Sequence, residues 1–313
     1  DTIYGGAGND IIGGDSKVAV GSNNDDKDKI YGEGGNDTIT LGGTALVTID
    51  GGDGNDTVDV ATNLVYGQSI KGGAGTDKLV VTIAENAADG SVVSEFETLD
   101  LNDVDASLDL DNYANNTFTT VDIGAANGMT LSSVRDETIL VSANLAGDAT
   151  ITKESLSGSA DSIKVKLSKA SAIDTTNDLL IASVETINIE SDDSATTATG
   201  IRHTLDLGAD SATSLVITGD AGLIFATGGH TDIADVTNMD ASGVTTPKVT
   251  NNGITYAATY NTAGGATTLK GSNAVDTLTG GNATHDTIDA GSGADVINYS
   301  GGKDVVTGGA GAD

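Results

Sequence analysis

Cysteine is absent from the 313 residues, so no disulfide framework staples the chain. Tryptophan is also absent and aromatics make up 3%. That excludes a large globular core built on aromatic anchors and leaves room for thin cores of Val, Ile, Leu and Ala. Positive charge is scarce too. Lys plus Arg number 14 against 46 Asp plus Glu, a formal net charge of −32, which argues against nucleic acid and anionic membrane surfaces as direct partners. No apolar run approaches the ~20 residues of a transmembrane helix, and no signal peptide is visible. Low aromatic content with high net charge also fits disorder, a reading that regular, cation-bound repeats would reject.

Glycine, by contrast, is abundant at 43 residues. Much of it falls in one nine-residue pattern, G-G-x-G-x-D-x-U-x, where U is a large apolar residue. GGAGNDIIG fills Gly5 to Gly13, GEGGNDTIT fills Gly32 to Thr40, GGDGNDTVD fills Gly51 to Asp59 and GGAGTDKLV fills Gly72 to Val80. Near the other end AGSGADVIN fills Ala290 to Asn298 and YSGGKDVVT fills Tyr299 to Thr307.

Each place in the nine has a physical reason. Glycines at the first, second and fourth places allow positive φ and a close approach of backbone to a metal. The turn offers carbonyl oxygens and the sixth-place Asp adds a carboxylate, hard oxygen ligands that suit Ca²⁺. The last three residues form a short strand whose U side chain points inward. Two such units make one coil, so an Asp should face the Asp about eighteen residues later. Asp10 and Asp28, Asp286 and Asp304, and Asp295 and Asp313 are 18 apart; Asp37 and Asp56, and Asp276 and Asp295, are 19 apart. Two like charges ~4 Å apart repel by about 4 kcal/mol at an effective dielectric of 20. The spacing therefore makes sense with a divalent cation between the coils.

The pattern divides the chain into an N-terminal repeat block with insertions (1–80), a central β-rich region (81–270) and a C-terminal repeat block (271–313). An enlarged acidic turn, GSNNDDKD, runs from Gly21 to Asp28. The centre carries short β phrases such as ETLDLND (Glu97 to Asp103), TTVDIGA (Thr119 to Ala125), ETINIES (Glu185 to Ser191) and HTLDLGA (His203 to Ala209), separated by turn-forming residues. One stretch, Asn177 to Glu185, has a weak helical pattern. Asp77-Lys78-Leu79 leading to Glu97-Thr98-Leu99 parallels Asp161-Ser162-Ile163 leading to Glu185-Thr186-Ile187. The centre thus reads as two related modules, about 78–160 and 161–270, with convergence of generic strands as the alternative. Both ends break mid-repeat, so the expectation is a segment of a longer protein. The fold expected is all-β: a parallel β-roll or β-solenoid with calcium-binding turns and central β-rich modules.

These nonapeptides resemble the RTX (repeats-in-toxin) proteins of Gram-negative bacteria, and the central phrases resemble modules of the calcium-dependent surface-layer proteins of the Caulobacter type. The resemblance implies several bound Ca²⁺ ions, export by type I secretion and an extracellular, cell-surface location. It implies carboxylate ligands at Asp10, Asp28, Asp37, Asp56, Asp77, Asp276, Asp286, Asp295, Asp304 and Asp313. The glycines implied beside them are Gly6, Gly8, Gly35, Gly52, Gly54, Gly73, Gly75, Gly281, Gly291, Gly293, Gly302, Gly309 and Gly311. Departures are Glu33 at a second place, Ser159 and Ala160 before Asp161, and Ala274 at a fourth place, which weaken the sites at Asp161 and Asp276.

No HExxH zinc motif and no G-x-S-x-G elbow is present. The histidines, His203, His230 and His285, are far apart, and Gly14-Asp15-Ser16 opens a hydrolase-like motif that lacks partner blocks. The expectation is therefore a non-enzyme: a self-assembling surface-layer component whose partner is itself. Cell-surface polysaccharide would be a further partner, through regions outside this segment, with no nucleic acid and no membrane insertion. The alternatives are an RTX adhesin or biofilm-matrix protein and, third, the folding and secretion module of a secreted hydrolase.

Overall fold

The computed structural model describes residues 2–13, 18–19, 28–42, 46–60, 64–81, 90–101, 104, 106–154, 160–196, 200–226, 233, 235–245, 253–257, 266–281, 285–299 and 302–313. Compactness divides the chain between Glu137 and Thr138, inside the central block rather than at its borders. Among the described residues every strand pair is parallel, and Leu110–Tyr113 forms one turn of 3₁₀ helix capped by Asp109. The class is therefore a parallel β-solenoid, as the repeats led one to expect.

In the first unit one sheet runs in the order Thr2–Ala7, Asp28–Gly34, Val47–Asp53, Ser69–Ala74, Val93–Ser94. A second sheet runs Ile11–Ile12, Thr38–Gly42, Thr57–Val60, Lys78–Val81, Thr98–Asp100, Thr120–Asp122. As far as Thr98–Asp100 each coil contributes one strand to each sheet. The alternation of the sequence sets which residues turn inward. Ile30, Ile49, Ile70 and Val93 stack from coil to coil in the first sheet, and Ile39, Val58, Leu79, Leu99 and Val121 do so in the second; all are fully buried.

In the second unit one sheet runs Thr138–Val141, Ser162–Lys169, Thr186–Asp193, Ser214–Gly219, Asn238–Val244, Thr268–Lys270, Thr287–Asp289, Val305–Thr307. Its partner runs Ala149–Lys153, Asp174–Ala182, Arg202–Gly208, Gly222–Phe225, Ile254–Ala257, Thr277–Thr279, Val296–Asn298. From Ser162–Lys169 to Thr287–Asp289 strand length falls from 8 residues to 3. Ser162–Lys169 buries Ile163, Val165 and Leu167, whereas Thr287–Asp289 buries Ile288 alone. At about 1.5–3 kcal/mol per inward aliphatic side chain, the short coils are much the less supported by their own core.

Two sequence expectations are corrected. Asn177 to Glu185 is not helical: Asp174–Ala182 is a strand, with Leu179 and Ile181 buried and paired to Ala149 and Ile151. Its apolar residues alternate about the sheet, and pairing to neighbouring coils overrides a local helical pattern. The second correction concerns Asp28. The first coil takes 27 residues, so Asp10 meets Asp37 and not Asp28. Asp28 opens a strand of the other sheet, opposite Val47. Most of the acidic turn before it (residues 21–27) and Gly14-Asp15-Ser16 lie outside the described residues.

Candidate metal centre

In the first four coils of the first unit the turn that precedes the second sheet ends on an Asp, and these Asp residues stack. The backbone N–H of Asp10 donates to Oδ1 of Asp37 at 2.7 Å, that of Asp37 to Oδ1 of Asp56 at 2.8 Å, and that of Asp56 to Oδ1 of Asp77 at 2.8 Å. A parallel ladder of fifth-place residues runs beside it: Asn36 N–H to Asn9 Oδ1, Asn55 N–H to Asn36 Oδ1 and Thr76 N–H to Asn55 Oδ1. Oδ1 of Asp37, Asp56 and Asp77 is thus committed to the preceding coil. Oδ2 is buried without a partner in these three and in Asp10.

Those orphaned oxygens share a cradle. A Cβ added at Gly32 would lie 2.3 Å from Asp37 Oδ2 and 2.2 Å from the carbonyl oxygen of Gly51; one at Gly51 would lie 2.5 Å from Asp56 Oδ2 and 2.2 Å from the carbonyl of Gly72. A carboxylate oxygen from one coil and a carbonyl oxygen from the next therefore converge on one space, kept open because the first place is glycine. Burying an unpaired carboxylate is costly. Burial pushes the Asp56 and Asp77 carboxyls above their ordinary range, with neighbouring Asp37 and Asp56 respectively adding to the rise. A hard divalent cation bound by oxygens resolves both the orphaned charge and the repulsion.

The sequence singled out second- and fourth-place glycines. Gly6, Gly8, Gly35, Gly52, Gly54, Gly73, Gly75, Gly291, Gly293, Gly302, Gly309 and Gly311 all have positive φ, as does Glu33 at 73° in a second place. Gly281 is not among the positive-φ glycines, and residues 282–284 beside it lie outside the described set. The first-place glycines, Gly5, Gly32, Gly51 and Gly72, to which the sequence also assigned positive φ, do not have it; their need is space.

The second unit carries two shorter columns. Asp286 N–H donates to Asp304 Oδ1 at 3.0 Å. Asp276 N–H donates to Asp295 Oδ1 at 2.8 Å, and Asp295 N–H to Asp313 Oδ1 at 3.1 Å. Oδ2 of Asp286 and of Asp295 is buried without a partner, and burial raises the Asp295 carboxyl. Asp276 differs: protein donors take both of its oxygens.

Between these columns the coils close without such turns. Asp77 N–H donates to Glu97 Oε2 at 2.8 Å and Asp161 N–H to Glu185 Oε2 at 2.9 Å. Each Glu follows a buried apolar residue, Phe96 or Val184, which itself follows a non-glycine residue of positive φ, Glu95 (64°) or Ser183 (60°). An apolar plug and a glutamate thus replace the glycine turn. Further along, Thr119, Thr213 and Thr237 occupy the same place, each with its hydroxyl on a carbonyl of the preceding coil. Asp161 Oδ2 is buried without a partner like the column Asp residues, while Ser159 lies outside the described residues. His203 is buried and His285 exposed; His230 lies outside the described residues.

Stacked glycine turns with a carboxylate and a carbonyl oxygen converging in each define a calcium-binding parallel β-roll. The family model for the RTX calcium-binding nonapeptide repeat matches residues 1–16, 24–45, 41–61, 262–297 and 281–313. The chain carries RTX repeats and binds several calcium ions through them; proteins with such repeats are typically secreted. No curated protein matches the chain closely enough to count as a relative. Asp10, Asp37, Asp56, Asp286 and Asp295 are the residues present to hold the ions in the matched segments. Asp77, just outside them, has the same geometry. No helix among the described residues is long and apolar enough to cross a membrane.

Proposed function

We propose that this segment is a structural, non-enzymatic part of a calcium-dependent bacterial surface layer, and that its main partner is a second copy of itself. The observation that supports this is the arrangement of carboxylate columns in both units with hydrogen-bonded coils between them. Such a chain stays incompletely folded and strongly negative where calcium is scarce. It becomes rigid and less charged where calcium is plentiful, because metal binding free energy becomes folding free energy. At −32 formal charge, calcium-free copies repel.

The test is electron microscopy and light scattering on the intact protein in millimolar calcium and in sodium chloride of matched ionic strength. Ordered sheets in calcium alone support the reading. A monomer in both, or equal assembly in both, overturns it. An adhesin is the second reading, favoured by one observation. Three of the few aromatic side chains, Tyr4, Tyr66 and Tyr299, are 63%, 84% and 65% exposed, offering ring faces on which a glycan could stack. Dispersed particles that bind glycan would support it.

A further inference from the structure

The column Asp276–Asp295–Asp313 begins on a coil that differs from the others. At Asp295 one carboxylate oxygen is left for a cation. At Asp276 none is. Its Oδ1 accepts from Ile254 N–H at 2.5 Å and from Ser272 Oγ at 2.8 Å, and its Oδ2 accepts from Ser272 N–H at 2.7 Å. Ser272 stands at the second place of its repeat, where glycine stands in Gly5–Asp10 and Gly51–Asp56. The donors are neutral and Asp276 is fully buried, and burial pushes its carboxyl up, so the charged form needs a counterion to persist.

Arg202 is placed to be that counterion. It lies on the strand Arg202–Gly208, and its Nη2 donates to the Thr255 hydroxyl, 53 residues on and two coils away. Glycines clear its path. Arg202 pairs with Gly222, and the next coil presents Gly253, where an added Cβ would come within 2.1 Å of Asp276 Oδ1. Nε of Arg202 is buried without a hydrogen-bond partner. Burial pulls the guanidinium down and the Asp276 charge pushes it back up.

We propose that Arg202 is a positioning residue, a fixed cation standing in for calcium at the first coil of this column. The Asp276 turn then closes without metal and serves as the template on which the Asp295 and Asp313 coils close with it. The inference rests on the calcium reading of the turns.

Hydrogen–deuterium exchange across a calcium titration tests it, with the first-unit column as internal control. In wild type, amides of residues 272–274 should be protected in chelator while those of 290–313 become protected only as calcium rises. Arg202→Met should expose 272–274 in chelator. It should also raise the calcium midpoint for 290–313 about fivefold, the upper range of a single ion pair, leaving the midpoint for 46–60 unmoved. Arg202→Lys should recover most of the shift. A second variant, Thr255→Val, keeps the charge but loosens its anchor and should give a smaller shift of the same kind. If Arg202→Met leaves 290–313 at the wild-type midpoint, or moves both columns equally, the inference is overturned. If calcium protects neither column in wild type, the calcium reading itself fails and takes this inference with it.

Discussion

The backbone N–H of Asp37 donates to Oδ1 of Asp56 at 2.8 Å, while Oδ2 of that same carboxylate is buried beside Gly51 with no partner. One oxygen fixes the stacking of two coils and the other waits for a cation. Folding and calcium binding therefore meet in a single side chain.

Gly51→Ala tests the cradle. The φ of Gly51 is not in the left-handed region, so alanine brings no strain of that kind, unlike a change at Gly52, whose φ is 108°. The new methyl would instead overlap the Gly72 carbonyl and Asp56 Oδ2, closing the cradle and pushing the neighbouring coil away. We expect at least one fewer calcium ion per chain by isothermal titration calorimetry. Unchanged stoichiometry would mean that the cation sits elsewhere in the turn.

Asp295 and Asp289 are close in sequence and opposite in role. Asp295 takes the Asp276 N–H and holds an orphaned oxygen, whereas Asp289 is an exposed strand residue paired with Lys270 and Thr307. Asp295→Asn should weaken calcium binding roughly tenfold or more, in line with the loss of groups at metal sites. Asp289→Asn should leave it close to wild type. Equal affinities by calorimetry would show that the register is wrong.

The columns were legible because calcium turns demand glycine and Asp at fixed phase, so Asp37, Asp56, Asp286 and Asp295 could be paired from spacing alone. Asp28 was misplaced because spacing carries no information on the length of an inserted loop, and the first coil takes 27 residues rather than 18. The metal-free corners were not legible as corners. Glu95 and Ser183 adopt positive φ without being glycine, so nothing in the residue type announces the turn. Phe96-Glu97 and Val184-Glu185 showed as repeated phrases, but their replacement of a calcium turn needed the hydrogen bonds from Asp77 and Asp161. Arg202 bridges residues 53 apart in sequence, a separation no local pattern reports.

His203 predicts acid sensitivity in the second unit that is independent of calcium. It is fully buried; Nδ1 accepts from Ile173 N–H at 2.9 Å, so Nε2 carries the proton and donates to the Asp192 carbonyl at 3.0 Å. Burial holds its pKa below the ordinary value, against the upward pull of Asp193 and Asp192 and with the help of Lys169. The neutral form belongs to the fold. Its contribution is therefore full above the unfolded value of about 6.5 and is lost as pH falls from there toward the folded value. Thermal melts in saturating calcium should lose up to about 1.4 kcal/mol per pH unit below pH 6.5, and His203→Gln should flatten that slope. An equal slope in the variant would assign the acid sensitivity to other groups.

The central claim is that calcium closes the column coils while hydrogen bonds alone close the coils between them. Amide exchange on the intact protein, with calcium and with excess chelator, tests it most directly. Chelator should release the amides of Asp37, Asp56 and Asp295 and leave those of Ser162–Lys169 and Thr186–Asp193 protected. Protection of the column amides that is the same in chelator and in calcium would contradict the account.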